Sequence, residues 1–343
     1  VYREGKLMRR GEAEVMFHRD GKTATVNLVH AGGRVSIVTN GKSDAMVNLT
    51  PGAEVSDDEP VMVMTGALPL LLHPGARTAA VIGIGSGISS HVLLGSDNLR
   101  ELDTIEIEPA MVEAARGFQP RNSAVCSDPR SRIHIEDART FFSTHGKRYD
   151  LIISEPSNPW VSGVASLFSD EFYRRIGRHL EDGGLFVQWL QLYEIEPALV
   201  ASVVKALARN FSHYELYASD ESNLIIVARN SGPVPPASGA GFRQPRLAAE
   251  LARLQIRSPA DLDLFRIGSR RALQPYFNGF AVGPNSDYFP VLDQNAARAR
   301  FMGARASDII EFGRMPIPAI AFLGGAPRHV SPAPPRAWLK RSE

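Results

Sequence analysis

Over residues 13–40 apolar and polar positions alternate in short runs, and the turn pairs Asp20-Gly21, Gly32-Gly33 and Asn40-Gly41 separate them. A period of two broken by such pairs predicts antiparallel hairpins. From Thr78 the rhythm changes. The apolar run "TAAVIGIGSG" ends in glycines, and "ISSHVLLGS" reads as a short helix. "ELDTIEIE" is a second strand, "PAMVEAARGF" a helix with Pro109 in its first turn, "RIHIED" a third strand, "ARTFFSTH" a helix and "YDLIIS" a fourth strand. "SDEFYRRIGRHL" is a helix with Ser169 as N-cap and acids in its first turn. Gly183-Gly184 turn the chain into a fifth strand, "LFVQWL"; "PALVASVVKALARNF" and a closing strand "NLIIVAR" follow. Strands alternating with helices predict a parallel sheet with helices on both faces. "RNSGPVPPASGAG" is a linker, the stretch after it reads as helical, and the tail "APRHVSPAPPRAWLKRSE" is expected to be mobile. The expected divisions are a β-hairpin domain over 1–66, a nucleoside-binding domain over 67–230, a linker over 231–245, a helical extension over 246–330 and a tail over 331–343.

Composition narrows the function. Lys and Arg total 38 against 37 Asp and Glu, so the charge balance gives no reason to expect a nucleic-acid partner. A single cysteine, Cys126, excludes an internal disulfide and a cysteine metal site. The nine histidines are scattered without H-x-x-x-H or H-E-x-x-H spacing, so no catalytic metal is expected. The longest apolar run, around Val61–Leu72, is too short for a membrane span and is broken by Gly66 and Pro69. No signal peptide is visible, and a chain beginning at Val1 is expected to be part of a longer protein.

Three strand ends carry candidate chemistry. Gly83, Gly85 and Gly87 form G-x-G-x-G between a strand and a helix, where a dinucleotide fingerprint needs G-x-G-x-x-G and a P-loop needs a Lys that is absent. Such a loop suits a nucleoside whose tail has no pyrophosphate. Glu106 ends the second strand, at the distance from Gly83 expected of an acid that grips ribose hydroxyls. Glu108 is expected on the same face, nearer solvent. Asp137-Ala138 end the third strand, where Asp accepts from an adenine amino group and Ala leaves room for the ring; Asp137 also suits a helix N-cap. All three fall on the carboxyl edge of one parallel sheet, where ligands bind.

With "YDLIIS" and "LEDGGLFVQW" added, residues 67–230 resemble the core of class I S-adenosylmethionine-dependent transferases, a Rossmann-like fold. The β-rich start, "LPLLLHP", the glycine loop, "EIEP", "EDAR" and "YDLIISEPSNPW" together resemble the spermidine synthase (polyamine aminopropyltransferase) family. More narrowly they resemble bacterial spermidine-synthase-like proteins often joined to a membrane portion. The resemblance covers about residues 13–230, and "NSDYFPVL" looks like that subgroup's closing segment.

The resemblance implies that Glu106 holds the ribose, Asp137 and Ala138 contact adenine, and the three glycines lie under the nucleoside tail. The family's fourth strand ends in D-S-S-D-P, whose first Asp deprotonates the amine and whose second helps hold the cationic acceptor. Here those positions are Glu155 and Asn158, so Glu155 is the expected base, with Asn158, Trp160 and Gln188 on the substrate side. Either Gln188 or Gln191 is expected to face the site. The family's Y-H-E motif, part of its amine pocket, falls on Val61-Met62-Val63, which are apolar. Asp57, Asp58, Glu59 and Asp287 are alternative sources of the missing charge, or else loop and turn residues.

The expected reaction is aminopropyl transfer from decarboxylated S-adenosylmethionine to an amine, with no tightly bound cofactor. The alternatives are methyl transfer or an intramolecular reaction of S-adenosylmethionine itself, and a nucleoside-sensing domain without turnover. A homodimer, a cytoplasmic location and a membrane portion upstream of Val1 are the further expectations.

Overall fold

Strand β1 (Tyr2–Arg3) pairs with β2 (Lys6–Leu7), and the computed structural model otherwise describes residues 13–314. The tail expected at 331–343 and the end of the expected extension lie outside the described residues. The chain divides into two units, one formed by residues 1–144 with 239–257 and the other by 145–238 with 258–343.

The first unit opens with β3 (Glu14–Asp20), β4 (Thr25–Ala31), β5 (Arg34–Thr39) and β6 (Lys42–Asn48), an antiparallel meander in that order. Val26, Leu28, Val35, Ile37, Ala45 and Val47 are among its buried side chains. Helix α1 (Glu59–Leu72) follows, with a proline in its first turn. Every one of its 14 residues is buried, so it has no polar face and leaves no helical period in the sequence. That is why the run was expected only as an apolar lead-in. The boundary expected between residues 66 and 67 is corrected: it falls inside this helix.

Strands β7 (Thr78–Ile82), β8 (Glu101–Glu106) and β9 (Ser131–Ile135) are parallel, with Ile82 beside Ile105 and Glu106 beside Ile135. Between and after them lie α2 (Ile88–Leu93), α3 (Pro109–Ala115), α4 (Ser123–Ser127) and α5 (Ala138–Thr144). A Cβ on Gly66 of α1 would sit 2.5 Å from the Ser89 carbonyl oxygen of α2. Only the missing side chain lets these two helices approach so closely. Gly66→Val is therefore expected to destabilise the protein by about 1–3 kcal/mol, read from the midpoint of denaturant unfolding.

In the second unit β10 (Tyr149–Ser154) runs parallel to β11 (Leu180–Gln191), with Ser154 opposite Gln188. β11 is longer than the expected "LFVQWL". Its ladder with β10 is irregular between Tyr149 and Leu151, where Gly183-Gly184 are absorbed into the strand instead of preceding it. Helix α6 (Asp170–Arg178) starts at Ser169, whose hydroxyl accepts from the Phe172 N–H at 3.3 Å. Helix α7 (Pro197–Asn210) leads to β12 (His213–Asp220) and β13 (Asn223–Arg229), β13 lying antiparallel between β11 and β12. β12 was not expected. Residues 214–218 are all buried, so the strand shows no alternation. The core here is aromatic: Phe186 and Phe211 stack 5.4 Å apart and Tyr173 meets both edge-on.

Helix α8 (Pro245–Arg253) belongs to the first unit. Glu250 takes two bonds from Arg121, at 2.7 and 2.8 Å, and Arg253 pairs with Glu59 at 2.8 Å. Glu59, expected in a loop, is fully buried at the start of α1 and also accepts from the N–H groups of Asn48 and Ser56. The remaining elements, in the second unit, are α9 (Pro259–Asp263), β14 (Arg266–Ser269), α10 (Arg270–Asn278), α11 (Val291–Phe301) and α12 (Glu311–Arg314). The extension is helical apart from β14, which adds to β12. Parallel strands linked by helices, after an N-terminal antiparallel sheet, form the expected Rossmann-like α/β fold.

Candidate active site

In the first unit the expected donor residues gather around the glycine loop. Gly83, Gly85 and Gly87 have φ of +90, +46 and +77°, in the region where a Cβ is strained. The loop is held on three sides. The Gly83 N–H donates to the Ile105 carbonyl at 2.9 Å. The Asn122 amide donates to the Ser86 carbonyl at 2.8 Å. The Ser86 hydroxyl lies 2.9 Å from the Met62 sulfur. Val61, Met62 and Val63 are buried in the first turn of α1, so the apolar substitution of the family motif serves packing under the loop.

Glu106 is 7% exposed. Its Oε2 accepts from the Ile84 N–H at 3.0 Å and its Oε1 from the Glu108 N–H at 2.8 Å. Burial pushes the carboxyl above its ordinary value, against those backbone bonds. The acid at the strand end is thus tied directly to the loop, and its remaining lone pairs can accept from a diol.

Glu108 corrects an expectation, because it is buried rather than near solvent. It caps α3, accepting from the Ala110 N–H at 3.1 Å, and reaches the N-terminal sheet through the Thr23 N–H and hydroxyl at 2.8 and 2.9 Å. Burial acts to raise this carboxyl, but those bonds outweigh it and hold it below the usual range. Asp137 caps α5 through the Thr140 N–H at 2.8 Å, and Ala138 beside it is buried. His91 on α2 accepts from the Ala124 N–H at 3.3 Å, and its Nε2 lies 4.0 Å from Glu250.

In the second unit the expected substrate-side residues follow β10 and line the end of β11. Glu155 is half-buried, one residue past β10. Asn158 is buried, and its amide donates to the Tyr193 hydroxyl at 3.2 Å. Trp160 meets Tyr193 with ring centroids 6.4 Å apart, so Tyr193 joins the two. Gln188 is buried and donates to the carbonyls of Ser154 and Trp189 at 3.2 and 2.9 Å.

Gln188 Oε1, the Ser154 hydroxyl and both amide atoms of Gln191 find no hydrogen-bond partner among the described residues. Buried polar atoms are rarely left so, and these lie toward the carboxyl ends of β10 and β11. Gln188 and Gln191 are both buried. Asp287, weighed as a source of charge, is exposed, and its N–H donates to Glu171 at 2.8 Å. Tyr193, Glu194 and Arg300 were missed. The signal that could have found the first two is the polar run that closes a buried strand in "QWLQLYE".

Among the described residues no cluster of three or more His, Cys, Asp or Glu could hold a metal, and no helix is long and apolar enough to cross a membrane.

A profile described as "Spermine/spermidine synthase domain" matches residues 60–220. The polyamine aminopropyltransferase of Caldicellulosiruptor bescii is 31% identical over 150 residues, which cover 44% of this chain and 54% of that protein. That of Sodalis glossinidius is 29% identical over 155 residues, covering 45% and 54%. The chain thus spans about half the length of the curated relatives it matches. Among solved structures, a spermidine synthase in complex with the transition-state analogue AdoDATO superposes with a TM-score of 0.55 at 16% identity, over 84% of this chain and 88% of that one. The spermidine synthase of Thermotoga maritima gives 0.51 at 18% identity, over 63% and 73%. The fold is shared with these structures, and residues 60–220 are similar to the spermine/spermidine synthase domain.

Proposed function

We propose that the protein transfers an aminopropyl group from decarboxylated S-adenosylmethionine to an amine acceptor and releases 5′-methylthioadenosine. The observation that carries this reading is the tie between Glu106 and the G-x-G-x-G loop through the Ile84 N–H, which prepares an acid for a ribose beside a loop that lacks the dinucleotide fingerprint. The profile over residues 60–220 and the matched relatives, named polyamine aminopropyltransferases, support it.

In this reading Glu106 accepts from the ribose hydroxyls and Asp137 from the adenine amino group, with Ala138 against the ring. Glu155 takes a proton from the acceptor ammonium, because the amine has no lone pair to attack with until it loses one. The nitrogen then bonds to the aminopropyl carbon, the carbon–sulfur bond breaks, and its electron pair stays on sulfur, converting sulfonium to thioether. Asn158, Trp160 and Gln188 position the acceptor. Catalysis is mostly positioning plus removal of one proton, since the sulfonium supplies the leaving group. The protein is read as a cytoplasmic enzyme or the cytoplasmic part of an anchored one. β3, an edge strand with Val15 and Met16 exposed, supports a homodimer through the N-terminal sheet.

A second reading, methyl transfer from intact S-adenosylmethionine, is favoured by the neutral Asn158 where the family carries an acid. Incubation with each sulfonium compound, with and without putrescine, and mass spectrometry of the nucleoside separates the two. Methylthioadenosine with an aminopropylated amine is the expected result. S-adenosylhomocysteine would select methyl transfer, and binding without either product would select a sensor.

A further inference from the structure

The segment that follows the matched domain is built into the loops that carry the substrate-side residues. Asn285 is buried; its amide donates to the carbonyls of Ala165 and Phe168 at 3.2 and 3.1 Å, and its side-chain oxygen accepts from the Leu292 N–H at 3.1 Å. Further on, the Ala306 N–H donates to the Leu192 carbonyl at 2.8 Å, the Ile195 N–H to the Ala304 carbonyl at 3.1 Å, and Tyr193 forms a β-bridge with Arg305.

These contacts seat α11 so that the Arg300 guanidinium lies 5.2 Å from the Trp160 ring centroid. Arg300 Nε is 3.5 Å from Oε2 of Glu194, a buried oxygen with no hydrogen-bond partner among the described residues. Glu194 itself holds a left-handed backbone, φ +52°, which is strained for a residue with a Cβ and is commonest at functional positions. The cation therefore rests on the aromatic ring two residues from Asn158, and its counter-ion adjoins the tyrosine that holds the Asn158 amide.

Charge decides what this arrangement can bind. A diammonium acceptor calls for two carboxylates. Here Asn158 is neutral, and the charge of Glu194 is already met by Arg300. The loop after β10 adds one carboxylate, Glu155, and Arg300 adds a guanidinium whose five donors exceed what one carboxylate oxygen can take up. An alkylammonium that carries a carboxylate satisfies both, whereas a dication meets a fixed positive charge.

Resting on the transferase reading above, we propose that Arg300 is a specificity-determining residue that recognises a carboxylate on one of the two substrates. The carboxylate has two sources: an amino-acid acceptor, or a donor that has kept its carboxyl group. Both sources can be probed with pairs that differ by that one group, ornithine against putrescine and S-adenosylmethionine against its decarboxylated form.

Calorimetric titration of the full chain reads these affinities, the amines being added to protein saturated with methylthioadenosine. In one pair the acid is expected to bind about tenfold more tightly, and R300Q is expected to erase that preference while leaving the affinity of the decarboxylated member unchanged. R300K, which keeps the charge but not the fork, should retain part of it. If R300Q lowers the melting temperature, wild type against R300K carries the same test.

The proposal is overturned if wild type binds putrescine and the decarboxylated donor at least as tightly as their acids, if the preference survives in R300Q, or if none of the four compounds binds. The readout needs no turnover. A preference that depends on Arg300, in a protein that releases no methylthioadenosine, would overturn the transfer reading and leave carboxylate recognition standing.

Discussion

Replacing Glu155 by Gln is expected to lower the rate of methylthioadenosine release by about 10²–10⁴-fold while leaving methylthioadenosine affinity within about twofold of wild type. Glutamine keeps the size and the polarity of the side chain but cannot accept the proton of an ammonium. An amine protonated at neutral pH would then reach the sulfonium carbon without a lone pair. Because Glu155 follows β10 and Glu106, the acid proposed to hold the ribose, ends β8, the loss should fall on the chemical step and not on nucleoside binding. Single-turnover measurement beside a titration with methylthioadenosine checks both halves. Full turnover in the variant would remove Glu155 from the mechanism.

The second large effect belongs to Glu106. Glu106→Gln is expected to weaken methylthioadenosine binding by about 10²-fold, the loss of two charge-assisted hydrogen bonds to the ribose. The amide would also turn a donor toward either the Ile84 or the Glu108 N–H, loosening the loop it now holds.

This carboxyl also predicts a pH dependence. Burial raises it above its ordinary value, against the bonds from Ile84 and Glu108. The ionised form is the one that accepts from both ribose hydroxyls, so wild-type affinity should fall as pH is lowered through that raised value. E106Q should show no such fall, and titration calorimetry over a series of pH values reads the difference. In the protein alone the sign is opposite. A raised carboxyl stabilises the fold most below its unfolded value of about 4.5 and loses that contribution as pH rises through the folded one. Above the folded value the ionised acid is therefore held at a cost that a bound ribose would offset.

How legible these features were depended on their surroundings. The strand-to-helix turns at Gly83–Gly87, Glu106 and Asp137 could be read because each is punctuation at the end of an apolar run, and glycines, end-of-strand acids and N-caps are local signals. The same is true of Ser169. Helix α1 and strand β12 were hidden for one physical reason. Both are buried on every side, and an element without a wet face has no period to read. Glu108 was misjudged because its partner, Thr23, lies 85 residues earlier, in the turn between β3 and β4. Glu59 was misjudged in the same way, since Arg253 comes 194 residues later. Arg300 carries no motif at all. It matters only because backbone pairing around Leu192 and Ala304 brings it to Trp160.

Helix α8 has a consequence for how the protein can be trimmed. The family match stops at residue 220, which invites a shortened chain ending in the linker. Such a chain would lose Glu250 and Arg253 and strand Arg121 and Glu59 with one another, the latter a carboxylate with no exposed side-chain surface. Each would keep the other but lose its second partner, and a hydrogen bond to a charged group is worth about 1.5–3 kcal/mol, a sizeable share of a domain's whole stability. The part of the sequence that looks most like an appendage thus braces the first unit, and a chain cut in the linker is expected to unfold at lower denaturant than the full chain.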